Sequence, residues 1–402
     1  MKDFFIKTKV FICFVLFVSL LFYFKNFLSQ KSNIDRFPIT QSRMPLVYKI
    51  AKVSQRRSLK KILVGLPLTF ETLVLIDSLR KVFSDITVIP QSSGSHSSTQ
   101  EGVFKYLKKW NVKYFTDASN KSRMTALSNY PDIILDCSFM LGEVALKKGL
   151  FTEQTILIED TKTGENRLLA LAKKYNLFKR YIVLDNSPYK RNYENKIGIG
   201  YSVISSLASL GFFLPFYNIG IIGYGPVGRG VAYYARALGA KNILVTEINE
   251  KRAAEARENN FKTTHLENTL RKSDLVITAT GKTEVIRKEH LTALNKKIIL
   301  ANAGGEREWN RDKIFSFNHC KSIHEDILSC SVGKSNVWEI GGGNSINLVR
   351  QIAITEFLDI TFAKLLSITL KISEEKELPK GRIDIQYFAS KKFREIVNKQ
   401  YG

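Results

Sequence analysis

The sequence predicts an α/β protein with two doubly wound parallel-sheet domains, preceded by an N-terminal transmembrane segment. Three observations predict it. From Lys60 onward, short apolar runs alternate with helical patterns, the mark of repeated βα units. One of these units holds Gly223-Tyr224-Gly225-Pro226-Val227-Gly228 between an apolar run and a small-residue helix pattern. Near the start, Val10 to Phe24 is apolar throughout except for Ser19.

The apolar segment comes first in chain order. Lys7 and Lys9 precede it and Lys25 follows. With Phe27 and Leu28 included it is just long enough to cross a bilayer. A cleaved signal peptide is the rival reading, but no small-residue cleavage site follows. Residues 1–30 are therefore read as a retained anchor and 31–59 as a basic tether. Positions 25–61 carry ten Lys or Arg and one acid, Asp35. That asymmetry places the soluble body in the cytoplasm and suggests an anionic membrane surface as partner.

Residues 60–200 are read as the first α/β domain, completed by 347–402. Strands are expected at Lys61–Gly65, Ile86–Pro90, Val112–Phe115, Asp132–Asp136, Thr155–Asp160 and Tyr181–Asp185, with helices from Glu71 to Val82 and from Val103 to Trp110. Residues 201–346 form the second domain. There Ile219-Gly220-Ile221-Ile222 leads into the glycine motif, and Asn242 to Thr246 is a second strand ending at Glu247. Gly223 permits a tight turn, Gly225 lets the backbone approach a pyrophosphate, and Gly228 lets helix and strand pack closely. The helix N-terminus offers N–H groups to the phosphates. Glu247, 19 residues after Gly228, is placed to bind ribose hydroxyls and would repel a 2′-phosphate. This is a Rossmann domain, and its expected cofactor is NAD rather than NADP.

Composition narrows the class. Hydrophobic residues at 44% and charged residues at 24% fit a globular protein, and nine prolines leave little room for a disordered linker. The net charge of +24 points to an anionic partner or simply to a lysine-rich solvated surface. No interleaved aromatic and basic pattern suggests nucleic acid. Cys13, Cys137, Cys320 and Cys330 show no disulfide framework, which suggests a reducing compartment. His96, His265, His290, His319 and His324 have no metal-ligand spacing, so no metal site is expected.

Several ordered motifs resemble the S-adenosylhomocysteine hydrolase family from about residue 60 to 350. Gly65 to Thr72 resembles G-x-x-H-x-T-x-E-T, Ser98 to Glu101 resembles STQD, and Glu159 to Gly164 resembles EETTTG. Lys190 to Asn195 resembles K-S-K-F-D-N, Gly223 to Gly230 resembles GYGDVGKG, and Thr246 to Asn249 resembles TEID. Thr278 to Gly281 resembles TTTG, and Asn302 to Gly305 resembles N-I-G-H. The resemblance implies a tightly held NAD that oxidises the ribose 3′-hydroxyl. The ketone acidifies the C4′ proton, the 5′ thioether leaves, water adds, and the ketone is reduced again.

Carried onto this chain, the resemblance assigns NAD binding to Thr161, Thr163, Asn195, Gly223, Gly225, Gly228, Glu247, Thr280, Gly281 and Asn302. It assigns the adenine end of the substrate to Thr69, Glu71 and Thr72. The residues alone also allow a plain helix start there, with Thr69 as N-cap. Lys190, Glu194 and Asp160 are the candidate catalytic groups, with Lys190 expected as the base at the ribose hydroxyl; a solvated loop lysine is the plainer alternative. Glu194 stands where the family has Asp, and Asp160 where it has Glu.

Other positions depart further. Pro67 and Gly305 replace two histidines, Cys137 replaces the catalytic aspartate next to the substrate, and Ile199 replaces a cysteine. None of these keeps an easily titrated group, since Cys137 would have to be a thiolate. The resemblance also implies a homo-oligomer, although the family's subunit-joining tail has no clear counterpart in residues 370–402. The expected function is NAD-dependent oxidation of an adenosine-type nucleoside or thioether. The alternatives are hydrolysis of adenosylhomocysteine proper, a membrane-tethered pseudoenzyme that binds NAD or nucleoside, and a dehydrogenase for an unrelated small substrate.

Overall fold

Strand β1 (Ser58–Gly65) sits in the middle of the first sheet. Its neighbours are β2 (Phe83–Val88), β3 (Lys113–Tyr114), β4 (Ile133–Asp136), β5 (Ile156–Glu159) and β6 (Arg180–Val183), in the order β3-β2-β1-β4-β5-β6. All pairings are parallel. Ile62 to Gly65 and all of β4 and β5 are buried, so these strands read as unbroken apolar runs rather than alternating ones. The computed structural model describes residues 35–401, apart from 53–56, 94–95, 98, 176–179 and 376. The apolar segment Val10–Phe24 lies outside the described residues. Among the described residues no helix is long and apolar enough to cross a membrane.

The stretch expected as a tether is instead built into the first domain. Helices α1 (Arg36–Ser42) and α2 (Pro45–Ala51) bury Phe37, Met44, Leu46, Val47 and Ile50 in its core. Asp359 accepts hydrogen bonds from the Leu46 and Val47 N–H groups, both at 2.9 Å, and so caps α2 from another helix. The basic residues mislead because those near the helices, such as Lys49 and Lys52, are not part of that apolar core.

Helix α3 (Phe70–Leu79) is buried over its whole length, between the sheet and α8, a long C-terminal helix (Thr355–Glu374). Between them in sequence lie α4 (Met140–Lys147), α5 (Lys162–Tyr175), α6 (Gly200–Ser209) and α7 (Pro226–Ala237). The chain ends in α9 (Lys391–Tyr401), which places Phe393 and Val397 in the first domain's core and the Tyr401 hydroxyl on Asp359 at 2.9 Å.

The second sheet holds β7 (Asn218–Ile222), β8 (Asn242–Thr246), β9 (Lys262–Thr263), β10 (Leu275–Thr278), β11 (Lys297–Asn302), β12 (Cys320–His324), β13 (Ile327–Val332) and β14 (Ser335–Ile340). The order is β9-β8-β7-β10-β11-β14-β13-β12. The first six of these are parallel, and β13 and β12 add an antiparallel edge that the sequence reading did not anticipate. That edge pairs Cys320 directly with Cys330 in a disulfide. The expectation of no disulfide is corrected here: a ten-residue hairpin, not a short motif, brings the two thiols together.

Both sheets change winding direction beside their first strand, so the switch points fall between β1 and β4 and between β7 and β10. Open α/β sheets bind ligands beyond the strand carboxyl ends at such points. The candidate residues after Gly65, Asp136, Ile222 and Thr278 all lie there.

Candidate active site

The glycine turn after β7 has the three properties a dinucleotide needs. Gly223 is left-handed (φ 97°), and a β-carbon there would stand 2.7 Å from the Ala279 carbonyl oxygen. A β-carbon on Gly228 would stand 2.0 Å from the Gly223 oxygen. Gly225 has nothing within 4 Å of its β-carbon position, leaving room for a ligand. It is the N-cap of α7, and no side chain caps that end. An uncapped helix N-terminus beneath an open glycine fits a pyrophosphate. Glu247, at the end of β8, accepts from Tyr224 N at 2.7 Å and Asn249 N at 2.8 Å, which fixes its carboxylate beside the turn.

Lys190, Glu194 and Asn195 lie on a π-helix, Lys190–Ile199, whose Lys196 carbonyl packs against Gly230 of α7. Such segments are frequent at functional sites. Lys190 is 3% exposed, and its Nζ lies 2.7 Å from Glu194 and 2.9 Å from Asp160. Burial alone would strip its proton, but the two carboxylates outweigh it and hold its proton affinity well above the ordinary range. The resting residue is thus an ammonium, not the expected base. Burial raises the Glu194 carboxyl, against the pull of Lys190. Asp185, also buried, is pushed up by burial and holds Asn195 Nδ2 at 2.6 Å.

Cys137 adjoins this cluster. Burial pushes its thiol well up, and the charges of Asp160 and Glu159 add to the effect, so it is a neutral thiol. It cannot stand in for an aspartate. Its backbone is fixed by Asp136, which accepts from Cys137 N at 2.9 Å and Gly142 N at 2.7 Å, and by Gln91, which donates to its carbonyl at 2.8 Å.

Other candidates are already engaged within the protein. Thr69 is the N-cap of α3, accepting from Thr72 N, and the Thr72 hydroxyl donates to the Pro67 carbonyl at 2.6 Å. The plainer reading of both therefore holds structurally. Glu71 differs: it is 5% exposed, accepts from the Thr355 hydroxyl at 2.9 Å, and leaves Oε2 buried without a hydrogen-bond partner. Asn302 spends its side chain on Thr278, Gly304, Glu306 and Gly343. Thr161 is held by Glu159, which it bonds through both N–H and hydroxyl.

The two domains meet around Thr163. Its hydroxyl lies 2.8 Å from the β-carbon position of Gly305 and 3.5 Å from that of Gly281. Beside it, Arg167 and Glu306 form an ion pair at 2.5 Å across the cleft.

Four residues in this architecture escaped the sequence reading. Glu159 gathers Ser138 N, Phe139 N and Thr161, and so holds two adjacent residues, Ser138 and Phe139, in left-handed conformation. Glu308 holds Thr280 and Gly281. Thr355 and Thr361 come from α8, where Thr355 bonds Glu71 and Thr361 lies near Glu194 with its buried hydroxyl unpartnered. Acids inside or next to the quoted motifs were the available signal for the first two. Nothing in an apolar C-terminal helix marked the threonines.

Fold and site together define a two-domain α/β protein whose second domain binds NAD. Residues 212–310 match the model of the S-adenosyl-L-homocysteine hydrolase NAD-binding domain. An S-inosyl-L-homocysteine hydrolase of Methanopyrus kandleri is 27% identical over 393 residues, covering 92% of this chain and 90% of that protein. An S-inosyl-L-homocysteine hydrolase of Methanocaldococcus jannaschii is 28% identical, covering 80% of each. An adenosylhomocysteinase of Thermococcus kodakarensis is 31% identical over 65% of this chain and 64% of that protein. The second domain of this chain is thus similar to the NAD-binding domain of the S-adenosylhomocysteine hydrolase family, and hydrolases of the S-inosyl- and S-adenosylhomocysteine type align with most of the chain.

Proposed function

We propose that the chain oxidises the ribose 3′-hydroxyl of a purine nucleoside or nucleoside thioether of the adenosine or inosine type. The observation that carries this reading is the buried Lys190 ammonium clamped between Asp160 and Glu194, on a π-helix that packs against the helix of the NAD turn. NAD, when bound, accepts the hydride. The chain's own groups handle the proton: the hydroxyl gives it to Glu194, whose burial raises its affinity for a proton, and the Lys190 ammonium offsets the charge that develops on the oxygen. Helix α8 reaches both acids: Thr355 bonds Glu71, and Thr361 lies near Glu194. The unpartnered Glu71 oxygen suits an N–H donor on a purine edge, whether an exocyclic amine or a ring N–H.

A second reading is full hydrolysis of the thioether, favoured by relatives named hydrolases along most of the chain. Against it stand Pro67, Gly305 and the neutral Cys137, which leave no obvious proton donor for the departing sulfur. Membrane attachment through residues 10–24, with the body in the cytoplasm, is proposed on the sequence alone. The test is to add adenosine, inosine and their homocysteine thioethers separately to the purified protein and follow reduced-nicotinamide absorbance and released thiol. Reduction without thiol release supports oxidation alone, thiol release supports hydrolysis, and neither rejects both.

A further inference from the structure

We propose that Glu308 is a positioning residue that sets the Thr280–Gly281 loop for NAD and makes cofactor affinity depend on its charge. This rests on the second domain being an NAD domain. Glu308 is fully buried and follows β11 by six residues. Its Oε1 accepts from Thr280 N at 2.6 Å and Gly281 N at 2.7 Å, and its Oε2 accepts from the Thr280 hydroxyl at 2.6 Å. Its own carbonyl accepts from Val285 N at 2.7 Å and Ile286 N at 3.1 Å, so side chain and main chain together pin both ends of the loop. The loop needs holding because Gly281 is left-handed (φ 65°). It also continues from Ala279, whose carbonyl packs against Gly223, so its position is coupled to the pyrophosphate turn.

Both Glu308 oxygens act as acceptors here. Protonation at Oε2 reverses its bond with the Thr280 hydroxyl, which can accept as well as donate, and takes the negative charge away from the Thr280 and Gly281 N–H groups, so the charge-assisted bonds of the clamp weaken. Burial pushes the carboxyl up to about 7, against the hydrogen bonds from Thr280 and Gly281. The groups around it are neutral: Thr278, Thr280, Gly281 and Gly304. Charged residues on the flanking segments are engaged elsewhere or exposed. Glu306 pairs with Arg167, Arg307 donates to Asn344, Glu284 pairs with Lys313, and Lys282 is exposed. The clamp is therefore set by the protonation of one group.

The test is NAD affinity of the full-length protein by calorimetry, between about pH 8 and about pH 6. If only the carboxylate form binds well, the dissociation constant of the wild type rises about tenfold over that range. Glu308→Gln, which resembles the protonated form, binds weakly and without this pH dependence. Thr280→Val removes one bond that favours the carboxylate, and its midpoint moves to higher pH. The proposal is overturned if Glu308→Gln keeps wild-type affinity at about pH 8, or if Thr280→Val leaves the midpoint unchanged. Should Glu308→Gln fail to fold, Thr280→Val decides alone. A wild type that binds no NAD at any pH overturns the cofactor reading itself, a result distinct from a flat profile with NAD bound.

Discussion

A β-carbon at residue 305 would stand 2.8 Å from the Thr163 hydroxyl, so the facing loops of the two domains are packed to the size of a glycine. Gly305→His is accordingly expected to destabilise the protein by about 1–3 kcal/mol, the usual cost of overpacking, and to release no homocysteine. Thermal denaturation checks the first part. Gly305→His combined with Thr163→Ala recovers stability if the clash is the cause.

Lys190 supplies the positive charge between Asp160 and Glu194. Lys190→Ala is expected to abolish nucleoside oxidation while NAD remains bound. Removing one partner of a buried ionic cluster typically costs about 3–5 kcal/mol. The pH dependence has a definite sign. Without the ammonium, the Glu194 carboxyl, already raised by burial, takes a folded-state pKa further above its value in the unfolded chain. Stability is then fully present below the unfolded carboxyl range and is lost as pH rises through the folded value. The gap between wild type and variant should widen from acid towards neutral pH in denaturant titrations. A gap that narrows rejects the assignment.

Much of the fold could be read in the sequence because buried parallel strands announce themselves as unbroken apolar runs. Ile133 to Asp136 and Ile156 to Glu159 are examples, each buried at every position. The NAD turn was legible because Gly223, Gly225 and Gly228 each answer a local steric demand. What escaped depends on contacts distant in sequence. Helices α1 and α2 are short, and only the docking of α1 on α3 and of α2 on α8, through Asp359, reveals them as core. The Cys320–Cys330 bond needs the register of β12 on β13. The protonation state of Lys190 was not legible, because it depends on Asp160, thirty residues earlier.

The docking of α2 predicts a sharp boundary for truncation. Deleting residues 1–34 keeps the Asp359 bonds to Leu46 and Val47, whereas deleting 1–52 removes them together with the apolar residues around Val47. The longer deletion is expected to leave the first domain unfolded by circular dichroism and the shorter one to fold. Asp359→Ala, which leaves two N–H groups and the Tyr401 hydroxyl without their acceptor, should cost about 1–3 kcal/mol.

The disulfide closes a ten-residue hairpin at the edge of the second sheet. A cross-link over so short a loop contributes about 2–3 kcal/mol by loop entropy. Reductant is expected to lower the melting temperature of the wild type but not of Cys320→Ser. Equal shifts in both would place the reductant's effect elsewhere.

Glu71 gives the sharpest test of what the first domain holds. One oxygen is satisfied by Thr355 and the other has no partner although it is buried. An unpaired buried acceptor costs free energy that a ligand's N–H recovers on binding. Losing such a bond is worth about 1–3 kcal/mol, roughly tenfold to a hundredfold in affinity. Glu71→Gln is therefore expected to weaken nucleoside binding within that range and leave NAD affinity unchanged. Thr355→Val should weaken it less, because it frees the second Glu71 oxygen without removing the first. The direction of purine preference follows from the same atom. A carboxylate favours any base that presents a donor at that edge, and an amide can also serve an acceptor. If Glu71→Gln shifts preference towards a base presenting an oxygen there, Glu71 reads the purine. If nucleoside affinity does not change at all, Glu71 is only a helix-packing acid, and the nucleoside's base lies elsewhere.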